Sequence, residues 1–108
     1  MSLIVLEDIR DELQGCAAVS STSEFCRSWL AKDESYLRVL RYHGTAPSAD
    51  AFATCASKLG YYAKHLQNSD DPKHKEWVEL FQRLRALCVL TMEAQAKAKW
   101  MTARRMGL

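Results

Sequence analysis

From Pro72 onward the chain meets no helix breaker until Gly107, and this stretch narrows the folds open to it more than any other feature. Asp71-Pro72 reads as an N-cap followed by proline at the first helical position, where a missing N–H costs nothing. Apolar residues then recur at Trp77, Leu80, Phe81, Leu84, Leu87, Cys88 and Met92, with Thr91 among them, at the three- and four-residue spacing of one helical face. Beyond them the pattern thins to alanines at 94, 96 and 98. A helix over 72–105 is about 50 Å long at 1.5 Å per residue, whereas a 100-residue globule has a radius of gyration of about 13 Å. Its last third must therefore project, break or pack on another chain.

The remainder also reads as helical. Ile4, Leu6, Ile9, Leu13, Cys16 and Ala17 form one amphipathic face, with Glu7, Asp8, Asp11 and Glu12 opposite. Ser21-x-x-Glu24 is a capping box in front of Phe25, Cys26, Trp29 and Leu30. Asp33 reads as the N-cap of a third helix from about Glu34 to His43, with Tyr36, Leu37 and Leu40 inward and Gly44 ending it. Ser48 caps a fourth, whose inner face is Phe52, Cys55, Ala56, Leu59, Ala63 and Leu66; Gly60 falls within it as a kink or an end. The expected fold is all-α: five helices in one domain over 1–108, with a core at 21–66 and a long C-terminal helix at 72–105.

Several functions lose their support at this stage. No apolar run approaches the roughly 20 residues that span a bilayer, and the N-terminus turns acidic by Glu7 without a basic leader. No membrane association is expected, and the cytoplasm is the expected compartment. The cysteines at 16, 26, 55 and 88 are too far apart for a zinc knuckle and fall on apolar faces, as buried free thiols do. His43, His65 and His74 make no paired ligand motif. With no phosphate loop, nucleophile elbow or zinc-protease signature, neither an enzyme nor a cofactor is expected.

Charge is distributed unevenly. Residues 1–34 hold seven acids and three bases, residues 35–68 four bases and one acid, and residues 69–108 eight bases and five acids. Such a molecule can turn a basic side toward a polyanion, although excesses of this size also occur on ordinary surfaces. The third helix leaves Ser35, Arg38, Arg41 and Tyr42 outside. A short arginine-bearing helix held by a preceding helix and a tight turn is the arrangement of a helix-turn-helix. The same arginines also read as a solvated face, and Tyr42 as a ring half-buried against the fourth helix.

The segment from Ser23 to Leu59 resembles the DNA-binding domain of phage-repressor-type regulators, the Cro and lambda-repressor-like family. Ser35-Tyr36-Leu37 and Leu40 match its recognition helix, and Thr45-Ala46-Pro47-Ser48 its Asn-Pro-Ser turn. Phe52, Cys55, Ala56 and Leu59 match its next helix, and Phe25-Cys26 its first motif helix. The family's turn glycine is replaced by Leu30-Ala31 with about one extra residue before Ser35, and its glycine after the recognition helix stands one position on, at Gly44. The resemblance implies a sequence-specific, double-stranded-DNA-binding transcriptional regulator acting as a homodimer. Docked in the family's way, Glu34, Ser35, Arg38 and Val39 face the bases, with Tyr42 on the same helix. Lys32, Arg41, His43 and Thr45 then reach phosphates.

The dimer is expected along the long helix, through Leu87, Thr91, Met92, Gln95, Ala98 and Met101. A competing reading keeps the helical scaffold and binds a protein partner through Tyr61, Tyr62, Trp77 or Trp100. Periodicity places Trp77 and Phe81 in the core.

Overall fold

Five helices, and no strand among the described residues, make up residues 2–102, the part of the chain that the computed structural model describes. They are α1 (Ser2–Gly15), α2 (Thr22–Glu24, continuing as a π-helical turn over Phe25–Trp29), α3 (Tyr36–His43), α4 (Ala49–Leu66) and α5 (Pro72–Trp100). The all-α expectation therefore stands. Local chemistry accounts for most of the boundaries. Ser48 Oγ accepts from Ala51 N–H at 3.3 Å to open α4, and Asp71 Oδ1 accepts from Lys73 N–H at 2.9 Å to open α5. Gly44 closes α3 at φ 63°, the left-handed conformation that a side chain disfavours. The capping box forms in a shifted version: Ser21 Oγ takes the Glu24 N–H, but Glu24 reaches back to the N–H and hydroxyl of Ser20 rather than to Ser21.

α4 and α5 form an antiparallel hairpin that carries about half of the buried core. Cys55 meets Cys88 and Gly60 lies beneath Arg85, so the register runs down one helix as it runs up the other. Pro47 opposite Gln95 continues that register, the Gln95 amide donating to the Pro47 carbonyl at 2.9 Å. Past Gln95 the hairpin partner has ended, and α5 overhangs. The molecule is accordingly elongated, 54 × 30 × 18 Å with a radius of gyration of 15.4 Å. α1 lies on α5 through Leu6, Ile9 and Leu13, all fully buried, and an Arg83–Glu12 ion pair at 2.6 Å closes the edge of that contact. Phe25, Cys26, Trp29 and Leu30 complete the core from the α2 side.

The structure corrects several expectations. α2 does not remain α-helical: Leu30 N–H bonds to Phe25 O at 3.2 Å, five residues back, and the wider turn absorbs an extra residue while keeping Phe25 and Leu30 on one side. Asp33 does not cap α3. Its carboxylate takes the N–H and hydroxyl of Ser35 two residues on, and α3 begins at Tyr36. Cys16 is half-buried rather than buried, while Cys26, Cys55 and Cys88 are fully buried. A hydrogen bond to Cys88, reinforced by burial, pushes the Cys55 thiol up, which leaves it without reactive thiolate at neutral pH. α5 ends at Trp100 with Met101 as its C-cap, and the expected continuation over 103–105 lies outside the described residues.

Gly60 neither kinks nor ends α4, which runs unbroken to Leu66. A Cβ at that position would meet Arg85 Nε at 2.9 Å and Cδ at 3.1 Å, so the absent side chain makes room for the arginine. Arg85 is exposed and its side chain can swing aside. Gly60→Ala is therefore expected to stabilise the fold. The helix-propensity gain of about 1 kcal/mol exceeds the displaced contact, and a thermal melt should rise by about 2–5 °C. A lower Tm would mean that the Arg85 contact outweighs the backbone term.

Candidate nucleic-acid interface

α3 is pinned from three directions, two of them by residues the helix periodicity turns inward. Leu37 enters the core, with Leu40 buried beside it. The Tyr36 hydroxyl accepts from Ser48 N–H at 3.1 Å, tying the start of α3 to the cap of α4. Arg41 reaches across to α1 and pairs with Glu7. Before α3, Ala31 adopts φ 55°, taking the left-handed backbone that a turn glycine takes without strain.

Among the described residues nothing covers the outer side of α3. Arg38 is exposed, Val39 is 43% exposed and Tyr42 is 85% exposed, which excludes a ring half-buried against α4. Arg38 and Tyr42 stand four residues apart on one face, and the His43 ring sits edge-on to Tyr42 with centroids 5.1 Å apart. Among the described residues no carboxylate lies within ion-pair distance of Arg38.

The other expected contacts are differently engaged. Lys32 pairs with Asp50 at 3.0 Å and lies 5.6 Å from the centre of the Tyr36 ring. Arg41 is held by Glu7, and Ser35 donates its hydroxyl to Asp33. Glu34 and Thr45 are exposed, and Thr45 N–H closes the end of α3 on Leu40 O at 3.0 Å. Asp33 is the residue that sequence reasoning misplaced. Ser35's hydroxyl, then its N–H, hold the Asp33 carboxyl below the usual carboxylate range, and Arg38 adds to this from a distance. Two acids, Asp33 and Glu34, thus flank the start of a helix whose far end is basic.

The expected dimer seam divides. Leu87 and Met92 pack on their own core, Thr91 donates to Leu87 O at 2.8 Å, and Gln95 bonds to Pro47 with its Oε1 buried and unpartnered. Gln95 is drawn in by the α3–α4 loop and Leu87 lies against α1, bordering Ile9 and Glu12, while Thr91 and Gln95 also line the groove that Leu90 borders. Only Ala98 and Met101 of the six stay exposed. The outward apolar residues are instead Val89, Leu90 and Trp100, and Leu90 borders a groove of about 540 Å³ shared with Ile4 and Val5 of α1 and Ala94 and Ala98 of α5. Among the described residues no three His, Cys, Asp or Glu side chains gather around a common point, and no helix is long and apolar enough to cross a membrane.

These features define an elongated all-α domain with one uncovered short helix and an overhanging C-terminal one. The chain belongs to a family of unknown function, DUF6626, whose sequence pattern matches residues 6–101. No curated protein and no solved structure matches it.

Proposed function

We propose that the protein binds double-stranded DNA through the outer face of α3, as a homodimeric regulator of the helix-turn-helix type. The observation that carries this reading is an α3 face that no described residue covers, with Arg38 unpaired among the described residues. An arginine there is free to form a bidentate contact with a guanine edge. The ion pairs of Lys32 and Arg41 are surface pairs in which one partner is well exposed, and such pairs contribute little to stability. Phosphates can replace the carboxylates as partners without disturbing the core. Dimerisation supports specificity, since one such helix makes few base contacts and two half-sites multiply them. The groove between α1 and the overhang of α5 is the surface we assign to the second copy.

The experiment is duplex binding followed by fluorescence anisotropy on genomic fragments. Arg38→Ala is expected to cost about 1–3 kcal/mol and to relax preference at one base pair. Arg41→Ala should weaken all sequences alike and flatten the salt dependence. Absence of duplex binding at low salt would reject the reading. A second reading, binding of a protein partner, is favoured by one observation: Tyr42, one turn beyond Arg38, is exposed, while the acids Asp33 and Glu34 flank the opposite end of α3. Tyrosine and arginine dominate protein interfaces, and those acids repel phosphate.

A further inference from the structure

A cleft of about 500 Å³, the size of small-molecule sites, opens between the π-helical turn, α4 and α5, away from the α3 face. Its walls are the rings of Trp29, Tyr62, Trp77 and Phe81. Trp29 stands 5.9 Å from Tyr62 and 6.1 Å from Phe81, and Phe81 stacks on Trp77 at 6.3 Å. The rings pack on one another, with Trp29 and Phe81 buried and Tyr62 and Trp77 more open, and together they give the cleft an aromatic lining that suits a flat apolar body.

The polar side of the cleft is Lys58. Its Nζ lies 4.6 Å from the Trp29 ring centre and 5.9 Å from that of Tyr62, and donates to Ser28 O at 2.8 Å. An ammonium has three donors, so two remain. Among the described residues no carboxylate pairs with it. Glu24 also borders the cleft, but both of its oxygens are taken by Ser20. The result is an ammonium with no ion-pair partner among the described residues, at the rim of an aromatic slot, with Glu24 held by Ser20 elsewhere on the lining. The backbone is unusual on two sides of it: the π turn supplies Ser28 and Trp29, and Ala17 stands in the left-handed region at φ 64°. π turns and such residues recur at ligand sites.

We infer that this cleft binds a small planar aromatic carboxylate, the ring body between the aromatic walls and the carboxylate on Lys58. The inference stands apart from DNA binding and is read without DNA. The probe is 1-naphthoate, titrated into the full-length protein while the three indole N–H signals are followed by NMR. The neutral 1-naphthalenemethanol serves as a charge control.

The signals of Trp29 and Trp77 are expected to move saturably with naphthoate, and that of Trp100, outside the cleft, to stay. Lys58→Met should weaken naphthoate by about tenfold to a hundredfold, the scale of one charge-assisted hydrogen bond. It should leave the alcohol's affinity unchanged, and Lys58→Arg should retain naphthoate binding. The inference fails if no saturable shift occurs at millimolar naphthoate, if only Trp100 responds, or if Lys58→Met binds naphthoate as well as the parent does. Unchanged indole positions in the free Lys58→Met protein establish that the fold is intact; should they move, the Lys58→Arg comparison with the alcohol control decides.

Discussion

Phe25→Ala is expected to lower the unfolding free energy by about 3–5 kcal/mol, the cost of a large buried ring replaced by a cavity. Phe25 has no exposed surface and lies where α2 turns from α- to π-helical geometry. Its carbonyl takes the Leu30 N–H that defines the π turn, and Leu30 is equally buried, so the two residues lock the wider turn from the inside. Urea unfolding should show a reduced midpoint with little change in slope. Against a typical total of about 5–15 kcal/mol, the variant keeps only a fraction of its stability. Its effect should reach α3, because the turn into α3 starts from Leu30. A loss below about 1 kcal/mol would mean that the π segment is not held by the core.

What was legible in the sequence was what neighbours in sequence decide. Ser48, Asp71 and Gly44 act through bonds to residues two to four positions away, and each stands where its chemistry placed it. The inward faces of α4 and α5, and of α1 apart from the exposed Ile4, were readable because periodicity identifies an apolar stripe directly. What periodicity omits is the partner that covers the stripe. Gln95 is bonded to the α3–α4 loop, Leu87 lies against α1 and Met92 packs on the core, so part of a seam suited to a second chain is already used by the first. Gly60 misled for a related reason: its cost as a helix breaker is local, while its use, space for Arg85, comes from the other helix. The shift from Asp33 to Ser35 at the start of α3 turns on competition between two turn chemistries open to an aspartate.

The candidate sites divide the same way. Helical spacing left Arg38 and Tyr42 outside, with a half-buried Tyr42 as the alternative, and the resemblance put Val39 beside Arg38; all three are exposed. The partners of Arg41 and Lys32, Glu7 and Asp50, lie in other elements, and no local pattern announces them. The aromatic cleft was invisible for the same reason. Trp29, Lys58 and Phe81 come from three elements, and the indole–ammonium contact spans 29 positions of chain.

Leu90→Glu is expected to convert the dimer we propose into a folded monomer. Leu90 is 67% exposed, so within one protomer its replacement removes little burial, and the melting temperature of the monomeric fold should barely move. In a two-fold interface the same change enters twice, placing two carboxylates in an apolar contact. The groove there is bordered by Ile4, itself 56% exposed, with Ala94 just before the overhang of α5 and Ala98 on it. Small residues allow a second helix to approach closely, and the overhang offers a face that α4 is too short to cover. An unpaired buried charge costs several kcal/mol, so dimer affinity should fall by about a hundredfold or more. Sedimentation velocity at micromolar concentration should give a dimer for the parent chain and a monomer for the variant. Duplex affinity should fall with it, because each monomer then reads one half-site alone. A monomeric parent chain would reject the dimer outright. A variant that remains dimeric would move the interface away from this groove.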